Sequence, residues 1–291
     1  MHIQRSFKEV SEFGTLYLVG TPIGNMEDIS FRALKILESV AAIAAEDTRV
    51  TGALLKHFEI QKRLISFHEH NAQSRIPELL ELLAQGQDLA QVSDAGLPSI
   101  SDPGQDLVKA VIEQGYTVVP IPGPSAGITG LIASGLVPQP HIFYGFLPRK
   151  ASQQKSFLES KCQYPETQIF YESPYRLSAT LEQILTVYGN REIVLIRELT
   201  KIYEEFRRGR VQEVLDSLTT DPVKGECLLI VAGYQEQDQP AQNMEEVLEL
   251  LKQRVAQGQR LKTASQELAK DTGFKAKELY RAYHQEEKEE Q

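Results

Sequence analysis

From Gly14 onward, short apolar runs alternate with amphipathic stretches, and this alternation constrains the fold more than any other feature. Thr15 to Val19, Ala41 to Ala45, Arg63 to Phe67, Asp88 to Val92 and Tyr116 to Ile121 each read as a strand. Between them, Ile29 to Val40, Thr48 to Phe58, Ile76 to Gln85 and Asp106 to Gln114 carry apolar residues at helical spacing. Strand and helix in turn predict an α/β fold, a parallel sheet with helices on both faces. Pro120 to Pro124 is a stiff break, and a second α/β block follows, to Tyr234. Its strands are expected at Ile142–Phe146, Gln168–Glu172, Glu192–Arg197, Glu204–Arg208 and Cys227–Ala232. The short gap from Arg197 to Glu204 predicts that these two strands are adjacent and antiparallel. After the polar stretch Gln235 to Gln239 come three short helices, Met244–Ala256, Leu261–Ala269 and Lys275–His284, a spacing that suits a helix-turn-helix-like tail. Glu286 to Gln291 reads as a charged fray. The expected domains are a flexible tail over 1–13, an α/β domain over 14–122, a second over 123–234 and the helical tail over 240–291.

Composition enters as a set of exclusions. A net charge of −9 rules out a polycation that coats nucleic acid, so any nucleic-acid contact needs local basic patches. Two distant cysteines, Cys162 in an expected helix and Cys227 in an expected strand, make neither a disulfide framework nor a Cys-rich zinc site and fit a reducing cytosol. No apolar run approaches the roughly 18 residues that span a bilayer. Met1 to Phe13 has no signal-peptide core, so a cytoplasmic location is expected.

Ligands of open parallel sheets bind beyond the carboxyl ends of the strands, so the loops there matter most. Gly20 to Asn25 holds two glycines but neither GxGxxG nor a Lys-Ser/Thr phosphate loop; it suits a tight turn or a nucleoside-type ligand. Glu46-Asp47-Thr48-Arg49 suits a helix cap or the handling of a polar substrate. His68-Glu69-His70-Asn71 lacks further ligands for a metal, and no metal site is expected. Ser93 to Gly104 is long for such a loop; Asp94 could accept from a ribose or an amino group, while Asp102 before Pro103 reads as a helix start. Gly123 to Gly127 offers small residues for close approach of a flat group, or a plain linker turn.

In this order, Gly20–Asn25, Ala45–Arg49, His68–Asn71, Ser93–Gly104, Pro122–Ala126, Phe170-Tyr-Glu-Ser-Pro174 and Arg197-Glu-Leu-Thr-Lys201 resemble the bacterial small-subunit (16S) ribosomal RNA 2′-O-ribose cytidine methyltransferases of the tetrapyrrole methylase superfamily. The resemblance covers about Gly14 to Tyr283. It implies two α/β domains of the tetrapyrrole methylase type (class III methyltransferases), a helical tail, S-adenosylmethionine (SAM) in the cleft between the domains, and a homodimer. It further implies 16S rRNA in the small ribosomal subunit as partner, with no role for DNA or membrane, and a decoding-centre cytidine as methyl acceptor. Carried residue by residue, Pro22, Asp94, Ala95, Gly96, Ile100, Ser125, Ala126, Tyr171 and Leu199 match cofactor-lining positions. The first loop and Ser93-Asp-Ala-Gly96 depart from the Gly-Pro-Gly-Asp and Gly-Asp-Pro patterns of members that act on small tetrapyrroles, which argues against a porphyrin or corrin substrate.

Methylating a hydroxyl oxygen benefits from a general base, and the candidates are Glu46, Asp47, His68, Glu198 and Lys201, the lysine only if its pKa is depressed. Arg49 and Arg197 read as phosphate or carboxylate clamps. Arg149-Lys150 and Arg207-Arg208-Gly-Arg210 are basic patches for RNA, and Arg260 to Arg281 carries a net charge of +3. The competing readings are a methylase of a small tetrapyrrole, a nicotinamide-dependent oxidoreductase, disfavoured by the missing GxGxxG, and a non-enzymatic ribosome-assembly factor.

Overall fold

The computed structural model describes residues 4, 12–100, 102–235, 244–272 and 274–289. The flexible tail expected over 1–13 and most of the 235–239 linker fall outside these residues. The chain divides into two units, residues 1–135 with 196–206 and 225–228, and residues 136–195 with 207–224 and 229–291. The first unit thus continues past the expected 122/123 boundary.

In the first unit the strands β1 (Thr15–Val19), β2 (Ala42–Ala45), β3 (Arg63–Ser66), β4 (Leu89–Val92) and β5 (Thr117–Ile121) form one sheet in the order β3-β2-β4-β1-β5. Every neighbouring pair is parallel. Helices α1 (Phe31–Ser39), α2 (Thr48–His57), α3 (Ala72–Ala84) and α4 (Gly104–Glu113) follow β1 to β4, and α5 (Ala126–Ser134) follows β5. Alternation along the strands sorts the core into two layers. Val19, Ile43, Ala45, Ala90 and Val92 pack with Leu37 of α1 and Leu54 of α2. Leu16, Ala42, Ala44, Ile65 and Leu89 pack with Leu79 of α3 and Leu107 of α4. All four residues of β2 are buried, as its unbroken apolar run predicts.

Two element boundaries differ from expectation. The helix expected from Ile29 begins at Phe31, after a 3-10 turn at Met26–Asp28, and its N-cap Ser30 accepts from the Ala33 N–H. Helix α3 begins at Ala72 rather than Ile76, because it carries Pro77 within its second turn. A proline has no N–H to give to the carbonyl four residues back, but its fixed φ is helical, so an early turn tolerates it.

The second sheet has the order β6-β7-β10-β8-β9, from β6 (His141–Phe146), β7 (Thr167–Glu172), β8 (Glu192–Arg197), β9 (Glu205–Arg210) and β10 (Cys227–Val231). β6 and β7 are parallel. β8 and β9 are adjacent, and the Val211 N–H donates to the Arg191 carbonyl, joining the start of one to the end of the other as a hairpin requires. Helices α6 (Ala151–Glu159), α7 (Leu177–Tyr188) and α8 (Val211–Thr220) lie between the strands in sequence. Cys162 sits in the turn after α6, not within a helix. Helices α9 (Met244–Ala256), α10 (Leu261–Thr272) and α11 (Ala276–Glu289) enclose a small core of Val247, Leu248, Leu251, Ala264, Leu268 and Leu279. α11 extends to Glu289, so the expected fray is helical for most of its length; Glu and Lys are good helix formers.

Candidate active site

β4 has β1 and β2 as neighbours, and the helices following those two lie on the opposite face from the helix following β4. Such a reversal opens a crevice at the carboxyl ends of the strands. The loops here are fastened to one another. The Thr21 N–H donates to the Gly96 carbonyl at 2.9 Å and the Gly96 N–H to the Thr21 carbonyl at 3.1 Å, a two-bond bridge between the β1 and β4 loops. Across β1 on the other side, a Cβ on Gly20 would lie 2.8 Å from the Gly123 Cα, so the β1 and β5 loops meet backbone to backbone. Asp102 precedes the first turn of α4 as expected: its carboxylate accepts from the Ser99 and Gly104 N–H groups at 2.7 and 2.8 Å, although the capping position itself is Pro103.

The β2 and β4 loops are cross-linked by their acids. Asp94 Oδ1 accepts from the Asp47 N–H at 2.9 Å, and Glu46 Oε2 accepts from the Asp94 N–H at 3.3 Å. Asp47 is the N-cap of α2, accepting from the Arg49 N–H, and the Arg49 guanidinium pairs with the same carboxylate. The hydrogen bonds from Arg49 hold Asp47 down at about 2. Glu46 is pushed the other way. Burial raises it, the hydrogen bond from the Asp94 N–H opposes the rise, and the carboxylates of Asp94, Asp102 and Asp47 reinforce it. Two adjacent acids are thereby split into a firm anion and a group with proton affinity above the usual carboxylate range. His68 closes the turn into α3, its backbone N–H donating to the Asn71 side chain and its Nδ1 accepting from the His70 N–H.

The β8–β9 loop is a second closed group. The Glu198 carboxylate accepts from the Glu226 N–H and from Lys201 Nζ, both at 2.9 Å, and Lys201 Nζ also reaches Glu226 Oε2 at 3.1 Å. Glu198 and Thr200 both have left-handed backbones, φ 49° and 70°, which is costly for a β-branched residue such as Thr200. Hydrogen bonds from Glu226 and Lys201 lower the Glu198 pKa. Burial lowers that of Lys201, but its bonds to Glu198 and Glu226 outweigh burial and the net shift is upward. A basic lysine would need the opposite shift. The Lys201 stem lies over the β1 loop, where a Cβ on Gly24 would come 2.5 Å from Lys201 Cγ. Arg197 pairs with Glu205 through Nε at 2.8 Å. The acids of the β2 and β4 loops and those of the β8–β9 loop share no hydrogen bond or ion pair among the described residues.

The sequence pattern of the family described as "Tetrapyrrole (Corrin/Porphyrin) Methylases" matches residues 15–215. The chain belongs to the tetrapyrrole methylase family. It is 55% identical over 285 residues to "Ribosomal RNA small subunit methyltransferase I" of Streptococcus pyogenes serotype M1, covering 98% of this chain and 99% of that protein. It is 47% identical over 285 residues to the protein of the same name from Bacillus subtilis strain 168, covering 97% and 98%. Among solved structures it is similar in fold to the cobalamin biosynthetic enzyme cobalt precorrin-4 methyltransferase, with a TM-score of 0.54, 14% identity and coverage of 75% of this chain and 94% of that one.

The cofactor of this methylase is SAM. The residues at the β4 crevice suit its chemistry. Asp94 is exposed, and with Oδ1 taken by Asp47 its Oδ2 has no partner among the described residues, leaving an oriented acceptor for a hydroxyl or ammonium group. Ser125 precedes α5 without a side-chain cap, so that helix end offers backbone N–H donors. Ala95, Ile100, Pro22, Ala126 and Leu199 are exposed or half-buried small and apolar surfaces in the same unit, and Gly96, with φ 81°, shapes the turn between them.

Of the remaining predicted residues, Tyr171 belongs to the second unit, edge-on to Phe143 and Phe146. Arg149 and Lys150 are exposed in the loop after β6, and Arg208 is exposed on β9. Arg207 is folded onto α8, bonded to Ser217 and Asp221 with its side chain only 12% exposed, so it holds the fold of the methylase. Sequence reading missed Glu226, whose backbone and carboxylate complete the Glu198–Lys201 group; the preceding Gly225, with φ 89° where a Cβ would strike the Glu198 carboxylate, was its one signal. It also missed Glu172 and Arg176, for which the signal was an acid at an inward strand position with an arginine four residues on.

Proposed function

We propose that this methylase transfers a methyl group from SAM to the ribose 2′-hydroxyl of a decoding-centre cytidine in 16S rRNA, on the small ribosomal subunit. The observation that carries the reading is near full-length identity of 47–55% to relatives named for methylation of small-subunit rRNA. SAM supplies an activated methyl on a sulfonium, a good leaving group. Glu46 is the general base, taking the hydroxyl proton as the oxygen forms its bond to the methyl carbon; its raised pKa suits that task, whereas Asp47 and Glu198 are too weakly basic and Lys201 stays protonated. Asp94, Ala95, Gly96, Ile100, Ser125, Ala126, Pro22 and Leu199, all in the first unit, hold SAM. Lys201, fixed by Glu198 and Glu226, and Arg49 and Arg197, each beside one acid, face the phosphates around the target nucleotide. Arg149, Lys150 and Arg208 contact RNA as well.

A homodimer in the cytoplasm completes the reading. The dimer is supported by the pair Ile128 and Ile132, 45% and 74% exposed on α5, and the location by the proposed ribosomal substrate. The test is to incubate the protein with labelled SAM and unmethylated small subunits, or with tetrapyrroles, and then hydrolyse the RNA with alkali. A 2′-O-methyl blocks cleavage of its own linkage, so label is expected in one alkali-resistant dinucleotide from 16S rRNA. Label in a tetrapyrrole, or on a base, would overturn the assignment.

A further inference from the structure

Phe170-Tyr-Glu-Ser-Pro-Tyr-Arg176 stands out in the sequence, yet only its Tyr171 matches a cofactor-lining position in the family resemblance. The structure gives the rest a role within the second unit. Glu172 ends β7 with its side chain fully buried. Its Oε1 accepts from the Ser173 N–H at 2.8 Å, and its Oε2 from the Thr180 hydroxyl at 2.7 Å. Thr180 in turn accepts from Gln154 of α6 at 2.9 Å. On the other side Arg176 pairs with Glu172 at 3.3 Å, and its guanidinium donates to the Pro148 carbonyl at 2.8 Å and more weakly to that of Leu147 at 3.4 Å.

The network therefore grips the β6–α6 connection at both ends. Arg176 holds its start at Leu147 and Pro148, and Gln154 holds the first turns of α6. Between the two grips lie Arg149 and Lys150, both exposed, with Lys150 at the helix N-cap. All of these contacts use one guanidinium nitrogen, Nη2, which thus joins the Glu172 carboxylate to the loop carbonyls. A buried carboxylate is costly unless its lone pairs are met, so Glu172 binds Arg176 firmly.

We infer that Arg176, anchored on Glu172, is a positioning residue that sets the direction of the Arg149–Lys150 loop toward RNA phosphates. The inference rests on the proposed RNA substrate. Without the guanidinium, the loop keeps its charges but samples directions in which they miss the phosphates, so subunit binding weakens while chemistry and SAM binding stay intact.

The experiment compares Arg176→Gln, Arg176→Lys, the double variant Arg149→Ala/Lys150→Ala, and the triple variant that adds Arg176→Gln to the double. Binding of small subunits is measured directly by sedimentation at several salt concentrations, alongside kcat, KM and SAM affinity. Arg176→Gln is expected to raise KM severalfold at unchanged kcat and SAM affinity, with the salt slope falling by about 1 per lost phosphate contact. Arg176→Lys recovers part of the loss, and its retained ion pair with Glu172 guards against a simple folding defect. The triple variant is expected to bind no worse than the double, since Arg176 acts only through that loop. Additive losses in the triple variant, or a fall in kcat at constant KM, would overturn the inference. A wild-type chain that binds subunits without methylating them would sink the proposed activity, and the binding series alone would still decide the role of Arg176.

Discussion

Gly20 and Gly123 stand back to back, each so close to the other's Cα that a methyl group on either would sit 2.8 Å from it. The contact is backbone on backbone, so neither side can yield as a side chain could. Gly20→Ala or Gly123→Ala is expected to cost about 1–3 kcal/mol, as overpacking does, and to weaken SAM binding by parting the β1 and β5 loops. Gly52 within α2 is the control, because a Cβ there meets only Leu64 Cδ1, at 3.8 Å. Gly52→Ala should stabilise by about 0.5–1 kcal/mol through helix propensity. Thermal melts and SAM titrations check all three variants.

As the proposed base, Glu46 is expected to carry the pH dependence of turnover. Its pKa is raised in the fold, so its contribution to stability is present at low pH, where it is protonated, and is lost as pH rises through the folded value. At neutral pH an ionised Glu46 therefore strains the fold. Glu46→Gln should lower kcat by roughly 10²–10⁴-fold, remove the acidic limb of the rate profile and raise the melting temperature at pH 7. Asp47→Asn should keep the acidic limb. An unaltered limb in Glu46→Gln would assign the proton elsewhere.

Glu198 and Lys201 should behave as a fixed ion pair. The Glu198 pKa is lowered, so its stabilisation holds above the ordinary carboxylate value and fades as pH falls through the folded one. That of Lys201 is raised, so its stabilisation holds below the ordinary lysine value and is lost as pH climbs through the folded one. Glu198→Gln and Lys201→Ala are each expected to slow single turnover without shifting the acidic limb. A moved limb would mean that one of them exchanges the reacting proton.

Ala44 probes the packing beneath the crevice. It is 1% exposed and faces the α3 and α4 layer. Ala44→Leu should destabilise by about 1–3 kcal/mol, and calorimetric melting would show it. An unchanged melt would mean that the layer has room to spare.

The sheet was legible because its physics is local. A parallel strand buried on both faces must be apolar throughout, and Ala42 to Ala45 say so without help from the rest of the chain. The start of α3 was less legible for an equally local reason: apolar spacing begins at Ile76, while the polar first turn from Ala72 to Arg75 carries no such period. The site was legible only as a set of loops. That Asp47 and Glu46 would titrate in opposite directions depends on Arg49 folding back onto Asp47 and on the burial of Glu46. Lys201 is held protonated by Glu198, three residues away, and by Glu226, which comes from 25 residues away in sequence. Pairings across such distances leave no period or spacing to read.

The helices α9 to α11 close a core of their own around Leu251, Leu268 and Leu279. A segment that keeps its oil inside can melt on its own schedule. Heating this protein should then give two transitions rather than one, and a single midpoint would average them. Substitutions at Gly20 and Ala44 should move the transition of the first sheet and leave that of the three helices where it was.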